Sequence, residues 1–137
     1  MRFMMIVKAN KQSEAGEMPS EKMLSEMGKY NEELMKAGML IELSGLESSA
    51  SGVRVKWTKG KQSIVNGPFP NTEELIAGFW LVRAKSKEEV IEWAKRVPFE
   101  DGEIEVRRLF DPEDFVQGPA IERAKELGKE LEKSKAQ

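Results

Sequence analysis

The sequence predicts an α+β fold, a ferredoxin-like protomer of order β-α-β-hairpin-β-α-β followed by a C-terminal helix. Two segments of strand length, residues 2–8 and 75–84, are apolar on both faces. Each is followed by a helical pattern, over residues 21–37 and 87–97, and then by a further strand pattern. Between the two halves lies a pair of alternating segments around a glycine turn, which is typical of an inserted β-hairpin.

The first half begins with a central strand over residues 2–8 and a polar loop over residues 9–19. Ser20 is a candidate N-cap for the first helix, and Gly38 occupies the C′ position that ends it. Residues 40–46 form the second predicted strand. The inward face of the helix carries apolar residues at spacings of three and four: Met23, Met27, Tyr30, Leu34 and Ala37.

The hairpin is predicted from residues 53–57, where apolar and basic residues alternate, and from residues 62–66 beyond a turn that contains Gly60. In the second half, Ser86 and Glu89 predict a capping box at the start of a helix that ends before Pro98. The inward residues of that helix are Val90, Ile91, Ala94 and Val97. The last strand, residues 103–110, has Ile104 and Val106 on one face and Glu105, Arg107 and Leu109 on the other.

The two helices of such a protomer cover only one face of its sheet, whereas residues 2–8 and 75–84 are apolar on both faces. An uncovered second face would expose a large apolar patch, so we expect a second copy of the chain to cover it. Two sheets facing each other would form a dimeric α+β barrel. The predicted partner is therefore the protein itself, as a homodimer.

The tail is predicted to be a helix with a thin apolar stripe, so the chain divides into a domain over residues 1–118 and a helical tail over residues 119–137. The stripe contains Ile121, Ala124, Leu127 and Leu131, and Gly128 interrupts the pattern. A helix of this kind is marginal alone. Docking on the dimer and a frayed end beyond Leu131 both remain open.

Charge and composition limit the classes of partner. The chain of 137 residues has a formal net charge of −2 and a calculated pI near 5.5, which disfavours a nucleic-acid-binding surface. The sequence contains no apolar run of membrane-spanning length and no signal-peptide pattern. We therefore expect a cytoplasmic protein that binds neither nucleic acid nor membrane.

The sequence contains no Cys and no His. This excludes disulfides, thiol nucleophiles, imidazole bases and any metal site ligated by Cys or His. Only hard oxygen ligands remain, and no carboxylate-rich segment has the glycine-centred spacing of a calcium loop. Asp111, Glu113 and Asp114 come nearest, but with Pro112 they are typical of a turn and helix start. We expect no metal and no organic cofactor.

Residues 64–69, Ile-Val-Asn-Gly-Pro-Phe, run from a strand into a sharp turn, where we expect Gly67 to be able to take positive φ. Asn66 lies at that strand end, where binding residues often occur. Mid-strand Arg54 and Arg107 predict either an anion site or an ion-pair network with Glu42 and Glu105. The candidate ligand-binding residues are Arg54, Asn66, Arg107, Trp80 and Ser44, and the candidate catalytic residues are Glu42 and Glu105.

Several short segments, in order and with matching spacing over residues 1–118, resemble the YCII-related family, in particular its branch named for a DGPF motif. They include residues 30–34, Ser44-Gly45-Leu46, Val53-Arg54-Val55, Asn66-Gly67-Pro68-Phe69, Gly78-Phe79-Trp80, Glu92-Trp93-Ala94 and residues 103–107. The resemblance implies a dimeric α+β barrel of ferredoxin-like protomers. The function of this family is mostly unassigned. Some relatives are proposed to use a His/Asp pair in small-molecule chemistry, and others are labelled transcription-related.

This chain departs from that pattern at three positions. Asn66 stands where the family motif has Asp, and Asn31 and Glu47 stand where relatives often carry His. A carboxamide cannot exchange protons near neutral pH, although it both donates and accepts hydrogen bonds.

Two hypotheses of function follow. In the first, the dimer encloses a pocket for an anionic or aromatic small molecule, with cofactor-independent isomerase- or lyase-type proton transfer by a buried Glu42 or Glu105. In the second, the chain is a non-catalytic dimeric structural or regulatory module. A nucleic-acid-binding regulator is disfavoured by the pI.

Overall fold

Ten helices and strands, joined by three single-turn 3₁₀ segments, make up the part of the chain that a computed structural model describes, residues 1–135. The strands are β1 (Arg2–Lys8), β2 (Leu40–Gly45), β3 (Val53–Thr58), β4 (Lys61–Asn66), β5 (Ile76–Arg83) and β6 (Ile104–Arg108). The helices are α1 (Lys11–Glu14), α2 (Glu21–Lys36), α3 (Lys87–Ala94) and α4 (Pro119–Lys135). The 3₁₀ segments are Ser49–Ser51, Thr72–Glu74 and Pro112–Asp114.

Four strands form one antiparallel sheet in the order β2-β5-β1-β6. The two strands that were predicted to be central, β1 and β5, lie in the middle of this sheet and pair with each other along their length. The order and the two covering helices confirm the predicted ferredoxin-like α+β fold.

One face of the sheet packs against α2 and α3. Phe3 and Met5 of β1 and Trp80 and Val82 of β5 are buried there. They pack in one core with helix residues such as Leu34, which is fully buried. Because neighbouring residues of a strand point to opposite sides, the register assigns the alternate residues to the second face. This outer face carries Met4, Ile6, Glu42, Ser44, Phe79, Leu81, Glu105 and Arg107.

The first helical turn corrects the sequence-based expectation of a loop over residues 9–19, because α1 begins at Lys11. The Oδ1 atom of Asn10 accepts a hydrogen bond from the Ser13 backbone N–H, and Ser13 Oγ accepts one from the Asn10 N–H. This capping box uses Asn and Ser rather than the more familiar Ser and Glu. The bounds of α2 follow the prediction, since Ser20 accepts from the Met23 N–H and Gly38 has φ of 73°.

The hairpin of β3 and β4 forms a two-stranded sheet of its own. Lys59 and Gly60, with φ of 50° and 80°, connect the strands. Positive φ at both turn residues is the geometry that matches the twist of a hairpin. Every residue of both strands is exposed, so the hairpin stands away from the core.

The remaining helices follow the predicted pattern in part. Ser86 Oγ accepts from the Glu89 N–H, which is one half of the predicted capping box. The tail is helical from Pro119 to Lys135, and the last two residues of the predicted tail lie outside the described residues. Leu127 and Leu131 of its apolar stripe are at least half exposed, and Ile121 is half-buried. Within residues 1–135, no helix is both long and apolar enough to span a bilayer.

Candidate functional site

A cavity of about 530 Å³ lies at one end of the sheet, beside α2 and the start of β5. We call it the strand-end cavity. Its wall is mainly apolar, and polar groups of Lys8, Asn31 and Asp101 are among those at its surface. The apolar residues that line it include Met18, Met23, Leu24, Met27, Phe79, Trp80 and Phe99. A concave, mostly apolar space with a few polar groups is the usual form of a small-molecule site.

The carboxamide of Asn31 is held in this cavity by Trp80. The indole Nε1 of Trp80 donates a hydrogen bond of 2.8 Å to Asn31 Oδ1. Because an indole N–H can only donate, the bond assigns the oxygen of the carboxamide to Trp80. The NH₂ group of Asn31 makes no hydrogen bond to another protein group within residues 1–135, so it remains a donor for a ligand.

Aromatic packing fixes Trp80 in turn. The rings of Tyr30 and Trp80 meet edge to face with centroids 5.6 Å apart, and Tyr30 also packs against Trp93. The Tyr30 hydroxyl donates a 2.7 Å hydrogen bond to the Trp93 carbonyl. Burial raises the pKa of Tyr30 to about 12; the nearby Arg96 opposes this shift and Glu33 adds to it. The cavity wall is therefore part of the core that joins α2 to α3.

A second cavity, of about 470 Å³, lies between the Gly-Pro turn and the loop that precedes β3. We call it the turn cavity. Arg54 lies on its wall, with its guanidinium carbon 3.8 Å from the centroid of the Phe69 ring. The structure thus gives Arg54 a cation–π contact, whereas the sequence offered it as an anion ligand or as an ion-pair partner of Glu42.

Ser49 organises the turn cavity. Its Oγ donates to Glu14 Oε2 and accepts from the Phe69 backbone N–H, and its own N–H donates to Glu14 Oε1. These two hydrogen bonds, from the Ser49 hydroxyl and then its backbone N–H, hold the pKa of Glu14 below its ordinary value. The carboxylate thus ties α1 to the Gly-Pro turn.

Gly67 is required by close approach rather than by positive φ, which corrects the expectation from the sequence. The φ angle of Gly67 is not positive. A Cβ atom at position 67 would lie 1.7 Å from the Ser49 carbonyl oxygen. The peptide bond between Gly67 and Pro68 is cis.

The predicted site residues lie in four places, of which Asn66 at the end of the hairpin is one. Trp80 and Ser44 line the strand-end cavity, and Arg54 lines the turn cavity. Glu42, Glu105 and Arg107 lie on the outer face, where Arg107 and Glu105 form an ion pair of 3.1 Å. That contact agrees with the predicted ion-pair network at this one arginine.

Asn66 ends β4 opposite Val53, so it lies on the hairpin face opposite to Arg54. Its side chain makes no hydrogen bond within the described chain. The strand register therefore places the side chains of Asn66 and Arg54 on opposite faces of the hairpin.

Asn31, Glu14 and Ser49 were not predicted as site residues from the sequence. Asn31 was noted only as a departure from the family pattern, and its position four residues after Met27 on the inward side of α2 was the available signal. Glu14 and Ser49 are 35 residues apart, so no local pattern connects them. Among residues 1–135, no three acidic side chains cluster closely enough to hold a metal ion.

The chain is similar to a known protein and to a known domain family. An uncharacterized protein of Rhizobium meliloti (strain 1021) is 24% identical over 92 residues, which cover 65% of this chain and 74% of that protein. The YCII-related domain family matches residues 1–113, a span that includes all six strands and ends before α4. The chain therefore belongs to the YCII-related domain family.

Proposed function

We propose that this protein is a homodimer in which each copy binds a small, largely apolar or aromatic molecule in the strand-end cavity. The observation that carries the proposal is the Asn31 carboxamide, oriented by Trp80 with a free NH₂ group in an apolar cavity of about 530 Å³. The proposal includes membership of the DGPF branch of the family. The motif at residues 66–69 supports this, with Asn66 in the position of the motif's Asp.

The wall of the cavity defines the ligand chemistry. Met18, Met23 and Met27 provide adaptable apolar surface, and Trp80 and Phe99 provide aromatic surface. The Asn31 NH₂ group selects a hydrogen-bond acceptor such as a carbonyl or carboxylate oxygen. A ligand with an aromatic body and one acceptor group fits these features.

The dimer is supported by the outer face. Its central residues Met4, Ile6, Phe79 and Leu81 are apolar and only half-buried in a single chain, with Glu42 and Glu105 at the two edges. A second copy packed on this face would remove the apolar patch from water. It would also enclose Glu42 and Glu105, the candidate groups for proton transfer, between the two copies.

A non-catalytic module is the second candidate. The Glu105–Arg107 ion pair of 3.1 Å favours it, since this contact gives one of the two candidate catalytic carboxylates a structural partner. In that case the outer face sets only the strand register and the choice of partner.

Binding of anilinonaphthalene sulfonate, an aromatic anion whose fluorescence rises in apolar sites, tests the cavity. We expect saturable binding, one probe per chain, in the wild-type protein. Leu24→Trp places a larger side chain in the cavity and should weaken binding of the probe at least tenfold. Leu127→Trp in α4 should leave binding of the probe unchanged. The two leucines are a matched pair, being 52% and 50% exposed. Equal binding by the two variants, or no saturable binding, would refute the cavity proposal.

Light scattering tests the dimer independently. The expected particle has twice the 15.5 kDa mass of the chain at micromolar concentration. A particle of single-chain mass would refute the dimer and leave the cavity proposal standing.

A further inference from the structure

The hairpin of β3 and β4 exposes an apolar face that nothing else in the described chain covers. Register places Val53, Val55, Trp57 and Ile64 on the same face. Trp57 is 66% exposed and Ile64 is 69% exposed. A contiguous exposed face of this kind, with an aromatic residue, is typical of an interaction surface.

The hairpin is also strongly basic. Residues 53–66 contain four cations, Arg54, Lys56, Lys59 and Lys61, and no carboxylate. None of the three lysines forms an ion pair within residues 1–135.

An acidic segment of equal charge lies elsewhere on the chain. Residues 99–106 contain four carboxylates, Glu100, Asp101, Glu103 and Glu105, and no cation. Only Glu105 has an ion-pair partner among the described residues. The charge of this segment is complementary to that of the hairpin.

The sheet order decides how these two segments can meet. The hairpin follows β2 at one edge of the sheet, and the acidic segment leads into β6 at the other edge. Because β2 and β6 run in opposite directions, the end of β2 and the start of β6 lie at the same end of the sheet. Within one chain they are separated by the two central strands.

A twofold axis can relate two outer faces in two simple ways. If the axis runs along the strands, each β2 edge lies opposite the β6 edge of the other copy, so a basic hairpin meets an acidic segment. If the axis runs across the strands, like edges meet with their ends exchanged, so each basic hairpin lies at the opposite end of the dimer from the other hairpin and far from the acidic segments. Charge complementarity selects the first arrangement.

We propose that, in the homodimer, the hairpin of each copy docks on residues 99–105 of the other copy. Phe99 and Asp101 also line the strand-end cavity. The docked hairpin therefore forms part of the rim of the ligand cavity in the neighbouring copy, and the cavity is complete only in the dimer. This inference rests on the proposed homodimer and specifies how its two copies are arranged.

Site-directed cross-linking tests the geometry, because the chain has no natural cysteine. Lys61→Cys and Asp101→Cys are made separately, the two proteins are mixed to exchange subunits, and a short bis-maleimide is added. We expect a covalent dimer in the mixture and none with either variant alone. A covalent dimer from Lys61→Cys alone would show that hairpins meet each other and would overturn the proposal. A wild-type dimer whose mixed variants do not cross-link would also overturn it.

Charge reversal gives a second measurement. The triple variant Lys56→Glu, Lys59→Glu, Lys61→Glu should raise the dimer dissociation constant at least about tenfold at low salt. The variant Glu100→Lys, Asp101→Lys, Glu103→Lys should do the same, and mixing the two should restore affinity. Reversal of the exposed α2 lysines Lys22, Lys29 and Lys36 is the control and should have no such effect. A stable dimer insensitive to reversal would refute only the hairpin docking, whereas a monomeric wild type would refute the dimer as well.

Discussion

Asn31 accepts a 2.8 Å hydrogen bond from the indole of Trp80, although the two residues are 49 positions apart in the chain. Trp80 is only 5% exposed, and this bond satisfies its N–H. The bond therefore stabilises the contact between α2 and β5 and also orients a polar group at the wall of the strand-end cavity. One residue thereby contributes both to the stability of the fold and to the candidate site.

Removing the acceptor should destabilise the protein. We expect Asn31→Ala to lower the free energy of unfolding by about 1–3 kcal/mol, because it leaves the buried Trp80 N–H without a partner. Asn31→Asp retains an acceptor oxygen and should lose less. Urea denaturation of the three proteins checks this, and an equal loss in both variants would contradict the role of the hydrogen bond.

Gly67 should not tolerate a side chain. Gly67→Ala places a Cβ 1.7 Å from the Ser49 carbonyl oxygen, so we expect a loss of about 1–3 kcal/mol or more in stability. Gly28→Ala is the matched control, since Gly28 lies within α2 and a Cβ atom there would meet no atom within 4 Å beyond the backbone of its own helix. That substitution should instead stabilise the helix by about 0.5–1 kcal/mol. Thermal unfolding of both variants should give shifts of opposite sign.

Protonation of Glu14 should lower the stability of the protein at acid pH. Hydrogen bonds from the Ser49 hydroxyl and backbone hold its pKa below the ordinary value of 4.5. The contribution is therefore present above pH 4.5 and is lost as the pH falls through the lower pKa of the folded protein. Ser49→Ala should raise the Glu14 pKa toward its ordinary value in an NMR titration. The pKa of Asp114, which is lowered by a separate set of hydrogen bonds from Asp111 and Arg108, should not move.

Ionisation of Tyr30 should lower the stability of the protein at alkaline pH. Burial raises its pKa from 10.0 to about 12, so its contribution to stability is fully present below pH 10 and is lost as the pH rises toward 12. Tyr30→Phe should remove this alkaline loss. It should also cost about 0.5–1.5 kcal/mol near pH 7, because the Trp93 carbonyl loses its donor. Urea unfolding at pH 7 and above pH 10 measures both effects, and an unchanged alkaline loss in the variant would contradict the assignment.

Asn66→Asp should be nearly neutral for folding. The side chain is exposed at the end of β4 and holds no other group of the described chain through a hydrogen bond. We expect a change within about 0.5 kcal/mol at pH 7. A large loss at pH 7 that is relieved at pH 3 would instead show that the Asn66 NH₂ group holds a buried carbonyl.

The elements of this fold were predictable because their signals are local. Ser20 and Gly38 mark the ends of α2, and the two-sided apolar pattern marks β1 and β5 as central strands. Caps, turns and hydrophobic periodicity depend on residues a few positions apart, which the sequence shows directly. The short helix α1 was missed because its Asn–Ser capping box resembles an ordinary polar loop.

The sequence by itself determined the family, the order of the six strands and of α2, α3 and α4, and the chemistry that the absence of His and Cys excludes. Only the tertiary structure decided which polar side chains share a cavity. It showed that Asn31 is hydrogen-bonded to Trp80 and Glu14 to Ser49. It also showed that Asn66 and Arg54 lie on opposite faces of the hairpin. The physical reason is that these contacts depend on the packing of α2 on the sheet and on strand register, where a shift of one residue moves a side chain to the opposite face.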